Sequence, residues 1–171
     1  MAVLPIIKFG HPTLRKQADE ISEFSEKLRE LAENMVDTMR VNEGIGLAAT
    51  QVNELKRLFV IDLEAFDENL APQAYVNPKI ISAEGNESLE EGCLSIPEVR
   101  SEVDRSLKIE VEYQTLEGET VRETLEDLHA RVFQHELDHL NGVLFIDRLP
   151  LLQRKLLEPK LTKLLEAHTI L

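Results

Sequence analysis

The stretch His135-Glu136-Leu137-Asp138-His139 sets two imidazoles four residues apart. On a helix such positions lie one above the other on a single face. Both rings can then reach one metal ion, at about 2.0–2.1 Å per nitrogen if the ion is zinc. Glu136 projects beside them, where it can take a proton from water activated at that ion. The chemistry this spacing points to is metal-assisted hydrolysis. Leu125, Leu128, Val132 and Phe133 give the segment an apolar face. That suits a half-buried helix better than a solvated one whose histidines merely pair with neighbours.

A hydrolytic centre usually has three protein ligands and one open position, so a third ligand is needed. Metzincin proteases add a third histidine downstream, but here Phe145 stands at that position and cannot bind. Thermolysin-like proteases use a later glutamate, for which Glu158 is the candidate. The stronger candidate is Cys93, in Glu90-Glu91-Gly92-Cys93-Leu94-Ser95. Gly92 lets the backbone approach closely, and a thiol beside a divalent ion ionises. One thiolate and two neutral imidazoles leave the centre a net charge near +1, enough to acidify water. Two alternatives stay open. A zinc metallopeptidase built on Glu158 would keep its metal in Cys93→Ala. A structural site in a binding module would be closed by a fourth protein ligand, for which only the adjacent Asp138 offers itself.

These residues must be held by a fold, and periodicity suggests which. Phe24, Leu28, Leu31, Ala32, Met35, Val36 and Met39 recur at helical spacing, which predicts an amphipathic helix over 24–40 with the two methionines as core filler. Residues 57–63 read as a buried strand. Residues 75–82, with Pro78 inside, read as a short or edge strand. Residues 107–114 and 120–125 flank a Glu117-Gly118 turn signal and predict a hairpin. A second helix is expected over 125–140, closed by Asn141-Gly142. A third is expected from Pro150 to Ala167, with Pro159 interrupting it at a typical cost of about 3 kcal/mol unless the helix kinks or restarts. The expected fold class is α+β, with antiparallel or mixed sheets packed around a central helix that carries the two histidines.

At 171 residues, with 43% hydrophobic and 30% charged residues, the chain is expected to form one catalytic domain, 1–171. No apolar run approaches the roughly 20 residues of a membrane helix, residues 1–8 are too weakly basic for a leader, and Cys93 is the one cysteine. A cytoplasmic protein in a reducing compartment, without membrane contact, is expected. The net charge is −13, of which residues 148–171 carry +3 and the rest −16. The acidic body speaks against general nucleic-acid binding, DNA included. The basic C-terminal segment is a separate feature.

Three stretches together resemble the signatures of the peptide deformylase family: Gly44-Ile45-Gly46-Leu47-Ala48-Ala49-Thr50-Gln51, then Glu91-Gly92-Cys93-Leu94-Ser95, then His135-Glu136-Leu137-Asp138-His139. Their order and spacing are similar, and the resemblance runs over nearly the whole chain. It implies removal of the N-formyl group from the initiator methionine of nascent polypeptides, with release of formate. It implies one divalent metal, Fe2+ as the working ion, with Zn2+, Ni2+ or Co2+ compatible. It implies that the Gln51 amide and the Leu94 N–H stabilise the developing oxyanion. It implies that Gly44, Ile45 and Gly46 pair with the substrate backbone and that Ile45 and Leu128 line the methionine pocket. It also implies docking of the basic C-terminal helix on the ribosome.

Arg131 departs from the family pattern, which commonly has an apolar residue there. Leu128, Arg131, His135 and His139 share one helix face. Arg131 is therefore expected at the substrate entrance, its stem lining the pocket and its head reaching water or an acidic partner.

Overall fold

The computed structural model describes residues 2–169, and their side chains through residue 167. Seven strands and three α-helices appear among the described residues. In chain order they are α1 (Glu26–Val41), β1 (Gly46–Ala48), β2 (Leu58–Ile61), β3 (Gln73–Glu84), β4 (Glu87–Cys93), β5 (Ile96–Arg105), β6 (Lys108–Gln114), β7 (Thr120–Glu126), α2 (Asp127–Leu140) and α3 (Leu151–Thr169). Five strands form one antiparallel sheet in the order β1-β2-β3-β6-β7, and β4 and β5 form a separate antiparallel hairpin.

β2 explains the layering. All four of its residues are fully buried, because side chains alternate between two covered faces. Phe59 and Ile61 point to the α2 side, into a cluster with Tyr75, Ala130, Phe133 and Leu140. Leu58 and Val60 point to the α1 side, among Leu28, Ala32, Met35 and Met39. Phe133 meets the rings of Phe59 and Tyr75 edge-on, at centroid distances of 5.0 and 5.5 Å. A third cluster gathers Ile96, Val99 and Val103 of β5 with Phe145, Ile146 and Leu161.

α1 starts at Ser25, whose side chain accepts the Leu28 N–H. α2 begins at Asp127, two residues later than the apolar pattern suggested, because Leu125 is still paired with Ile109 in the β6–β7 ladder. It ends at Leu140, and just beyond it Gly142 takes φ +75° while the Val143 N–H returns to the Asp138 carbonyl.

Two expectations require correction. Residues 75–82 are not a short or edge strand: β3 runs 12 residues and lies between β2 and β6. Pro78 is tolerated there because the β3–β6 register shifts between Val76 and Lys79, with Asn77 at φ +48°, so no ladder bond is asked of it. Pro159 does not interrupt α3, which runs through it. Leu157, Leu161 and Leu164 pack against the β5 cluster on either side of the proline, and that burial offsets the lost backbone bond. No helix among the described residues is long and apolar enough to cross a membrane.

Candidate metal centre

The hairpin and α2 deliver the candidate ligand atoms. Cys93 ends β4, and His135 and His139 stand one turn apart on α2. One ligand atom from each lies within 4.8 Å of the other two. Cys93 Sγ is 3.4 Å from His139 Nε2. The Nδ1 of His135 faces away, 2.9 Å from Glu91 Oε1, which leaves Nε2 for the centre. The alternatives do not converge. Glu158 is exposed on α3, outside the three-residue group, and the Asp138 carboxylate is taken by Arg105 and by both ends of Arg148.

The electrostatics suit a cation. Burial disfavours charge on His135, yet hydrogen bonds to Cys93 and Glu91 push it up to about 10. A metal cation held there would take the place of that proton and leave the His135 ring neutral. Burial, reinforced by His135 and Arg105, keeps His139 neutral, as a ligand must be. A thiol with two imidazoles is a borderline-soft donor set that accepts zinc, iron, nickel or cobalt. The residues present therefore fit a divalent metal and do not by themselves choose among these.

Glu136 stands next to this group without being part of it. It is 4% exposed, its Oε2 is 4.0 Å from His135 Nε2, and its Oε1 has no hydrogen-bond partner. Burial, with His135 and Arg105 opposing and Glu91 and Asp138 adding to it, raises it to about 7. A carboxyl near that value can both accept and donate a proton at neutral pH. Its place depends on Gly46, since a Cβ there would lie 2.7 Å from Glu136 Oε2.

Gln51 is locked in orientation. Its Oε1 accepts the Ala48 N–H at 2.9 Å, while its Nε2 donates to Ser95 Oγ at 3.1 Å and lies 3.5 Å from Cys93 Sγ. Leu94 sits in the turn after Cys93, and its carbonyl accepts from Lys8 Nζ at 3.3 Å. A cavity of about 560 Å³ opens over the centre. Gly44, Ile45, Gly46, Gln51, Leu94, Leu128, Arg131 and Glu136 all line it. Ile45 and Leu128 are 38% and 43% exposed, which leaves apolar surface free for a ligand side chain. Arg131 is 5% exposed, with its guanidinium turned into the protein.

The sequence reading missed the support behind the ligands. Glu91 accepts from Arg105 Nε and Nη2, both at 2.9 Å, and from Arg131 Nη1 at 2.6 Å, besides His135. Burial would raise its carboxyl, but His135 and Arg105 hold it well below the usual carboxylate range. No local signal marked it, and only the strand's placement separates the two glutamates. Glu90 points out to Arg100, so its neighbour Glu91 must point in.

Known proteins resemble this chain over most of its length. A family model described as polypeptide deformylase matches residues 3–155. A peptide deformylase of Acidobacterium capsulatum is 45% identical over 168 residues, covering 98% of each chain. The solved structure of a peptide deformylase from Plasmodium falciparum superposes with a TM-score of 0.91 at 35% identity, covering 97% of this chain and 98% of that one. One from Thermotoga maritima superposes with a TM-score of 0.83 at 46% identity, covering 88% and 99%. Family match, near-complete likeness to solved structures and a Cys-His-His group beside a buried glutamate agree, and the chain belongs to the polypeptide deformylase family.

Proposed function

We propose that this chain hydrolyses the N-formyl group of the initiator methionine of nascent polypeptides, releasing formate. One observation carries the reading most directly: Cys93, His135 and His139 come together, the first two in the wall of a cavity that the buried Glu136, with an unpartnered oxygen, also lines. The cavity's walls supply free apolar surface at Ile45 and Leu128 for a methionine side chain.

Cys93, His135 and His139 would hold the ion, Fe2+ on this reading, with Zn2+, Ni2+ or Co2+ also matching the donor set. A divalent metal bound there supplies Lewis acidity, which polarises the formyl oxygen and acidifies water. Glu136 takes the proton of the water that attacks the formyl carbon. It returns that proton to the departing α-amine as the carbon–nitrogen bond breaks. The Gln51 Nε2, held by Ser95 and by the Ala48 N–H on its other end, and the Leu94 N–H donate to the oxyanion. Gly44 to Gly46 offer backbone to an extended substrate, as an added strand would use it. This work belongs in the cytoplasm, where nascent chains emerge.

The proposal extends to the ribosome as a docking partner. Leu151, Leu152 and Leu156 are 71–72% exposed on α3, and exposed Lys155, Lys160 and Lys163 share the helix. Binding through that face would weaken with salt. Lys155→Glu with Lys160→Glu is expected to lower ribosome co-sedimentation, and unchanged co-sedimentation would contradict it. The activity itself is tested with an N-formyl-methionyl peptide and its N-acetyl counterpart. Formate release from the first and no cleavage of the second is expected. No release by metal-loaded protein would refute the function.

A further inference from the structure

A cation in the wall of a substrate cavity ordinarily signals an anionic ligand. Arg131 is such a cation by sequence, but its charge is spent elsewhere. Nη1 donates to Glu91 Oε2 at 2.6 Å and to the Val103 carbonyl at 2.8 Å, and Nη2 donates to the Glu87 carbonyl at 2.5 Å. Both terminal nitrogens are thus committed, to the two ends of β4 and to β5.

We propose that Arg131 is a positioning residue of the metal centre: it fixes Glu91, and through Glu91 the ring of His135, and it does not recognise substrate charge. The inference rests on the metal-dependent reading above. Glu91 has about four acceptor positions, and four donors fill them. Oε2 takes Arg105 Nε and Arg131 Nη1, and Oε1 takes Arg105 Nη2 and His135 Nδ1. A carboxylate held at every position cannot turn, and neither can the imidazole it receives. Arg131 and His135 are one turn apart on α2, so Arg131–Glu91–His135 ties the helix to β4 at two adjacent points. Arg105 has a different share. It also grips Asp138 at 2.6 Å and does not line the cavity. Loss of Arg131 leaves Glu91 still paired with Arg105, so a folded variant is attainable.

The test uses Arg131→Met and Arg131→Lys, with folding checked by circular dichroism. Co2+ is titrated into metal-free protein and followed through the thiolate–cobalt absorption of Cys93. Partners behind a metal-bound histidine are typically worth about 10–100-fold in affinity. Arg131 acts one bond further out, so Arg131→Met is expected to raise the Co2+ dissociation constant by about tenfold. Arg131→Lys should fall between it and wild type, because one ammonium cannot serve Glu91 and both carbonyls. In parallel, kcat/KM for formyl peptides with acidic, basic or apolar first side chains should drop by one common factor. An unchanged or lower dissociation constant in folded Arg131→Met overturns the proposal, and so does a loss confined to acidic substrates. Should Arg131→Met fail to fold, Arg131→Lys carries both measurements, and no rise in its dissociation constant overturns it. If wild type releases no formate, the proposed function fails, while the cobalt titration still decides this point.

Discussion

Gly46→Ala should separate proton handling from metal binding. The added Cβ would stand 2.7 Å from Glu136 Oε2 and 3.0 Å from both its carboxyl carbon and its Cγ, where ordinary contact begins at 3.4 Å. Rotating the carboxylate alone cannot clear the clash, because the stem atom Cγ is also too close. The whole side chain must retreat by about 0.7 Å (3.4 against 2.7 Å), and it is 4% exposed in a packed site. Misplacing a reacting group by about 1 Å can cost roughly 10²-fold, so kcat/KM should fall by about that factor. Metal content should stay at the wild-type level, since the three atoms nearest the added Cβ all belong to Glu136, which lies outside the Cys93, His135 and His139 group. The assay is formate release from an N-formyl-methionyl peptide, with metal analysis of the same preparation. A Gly46→Ala enzyme within about threefold of wild type would refute the claim that Glu136 needs this approach.

Other perturbations divide the site further. Glu136→Gln should retain its metal and lose about 10²–10⁴ in turnover, the usual share of a general acid–base group; near-normal turnover would contradict the role. The metal-loaded chain should melt at a higher temperature than the chelated chain, because a ligand bound only by the folded state stabilises it. Cys93→Ala should abolish that difference in differential scanning calorimetry. Arg105→Met should destabilise the metal-free fold by about 3–5 kcal/mol, since it removes two of the four donors to Glu91 and one of the three to Asp138 and leaves both buried carboxylates under-compensated. For a chain of this size that is a drop of roughly 6–20 °C in melting temperature.

Legibility in the sequence followed the range of each signal. α1 and α2 were readable because 3.6-residue periodicity is local, and the ligand pair on α2 came with it. The β6–β7 hairpin announced itself through alternation around a glycine turn at φ +88°. The β4–β5 hairpin, which carries Cys93, did not. Residues 87–90 are all exposed, so no apolar face marks the strand, and its register shifts at Gly92–Cys93. β3 was misjudged because Pro78 is a strand breaker unless a bulge receives it, and the bulge exists only with β6 in place. The ion pairs of Glu91 with Arg105 and Arg131 span 14 and 40 residues. No local pattern encodes such a pairing. It follows from β4, β5 and α2 meeting.

The central claim is that one metal held by Cys93, His135 and His139 is what makes this chain a deformylating enzyme. Its most direct test is a titration of Fe2+ or Co2+ into anaerobic, metal-free protein, with formate release from an N-formyl-methionyl peptide measured at each addition. Activity should rise from near zero and reach its plateau at about one equivalent of metal per chain. Formate release indifferent to added metal, or a plateau reached only at two equivalents or more, would contradict it.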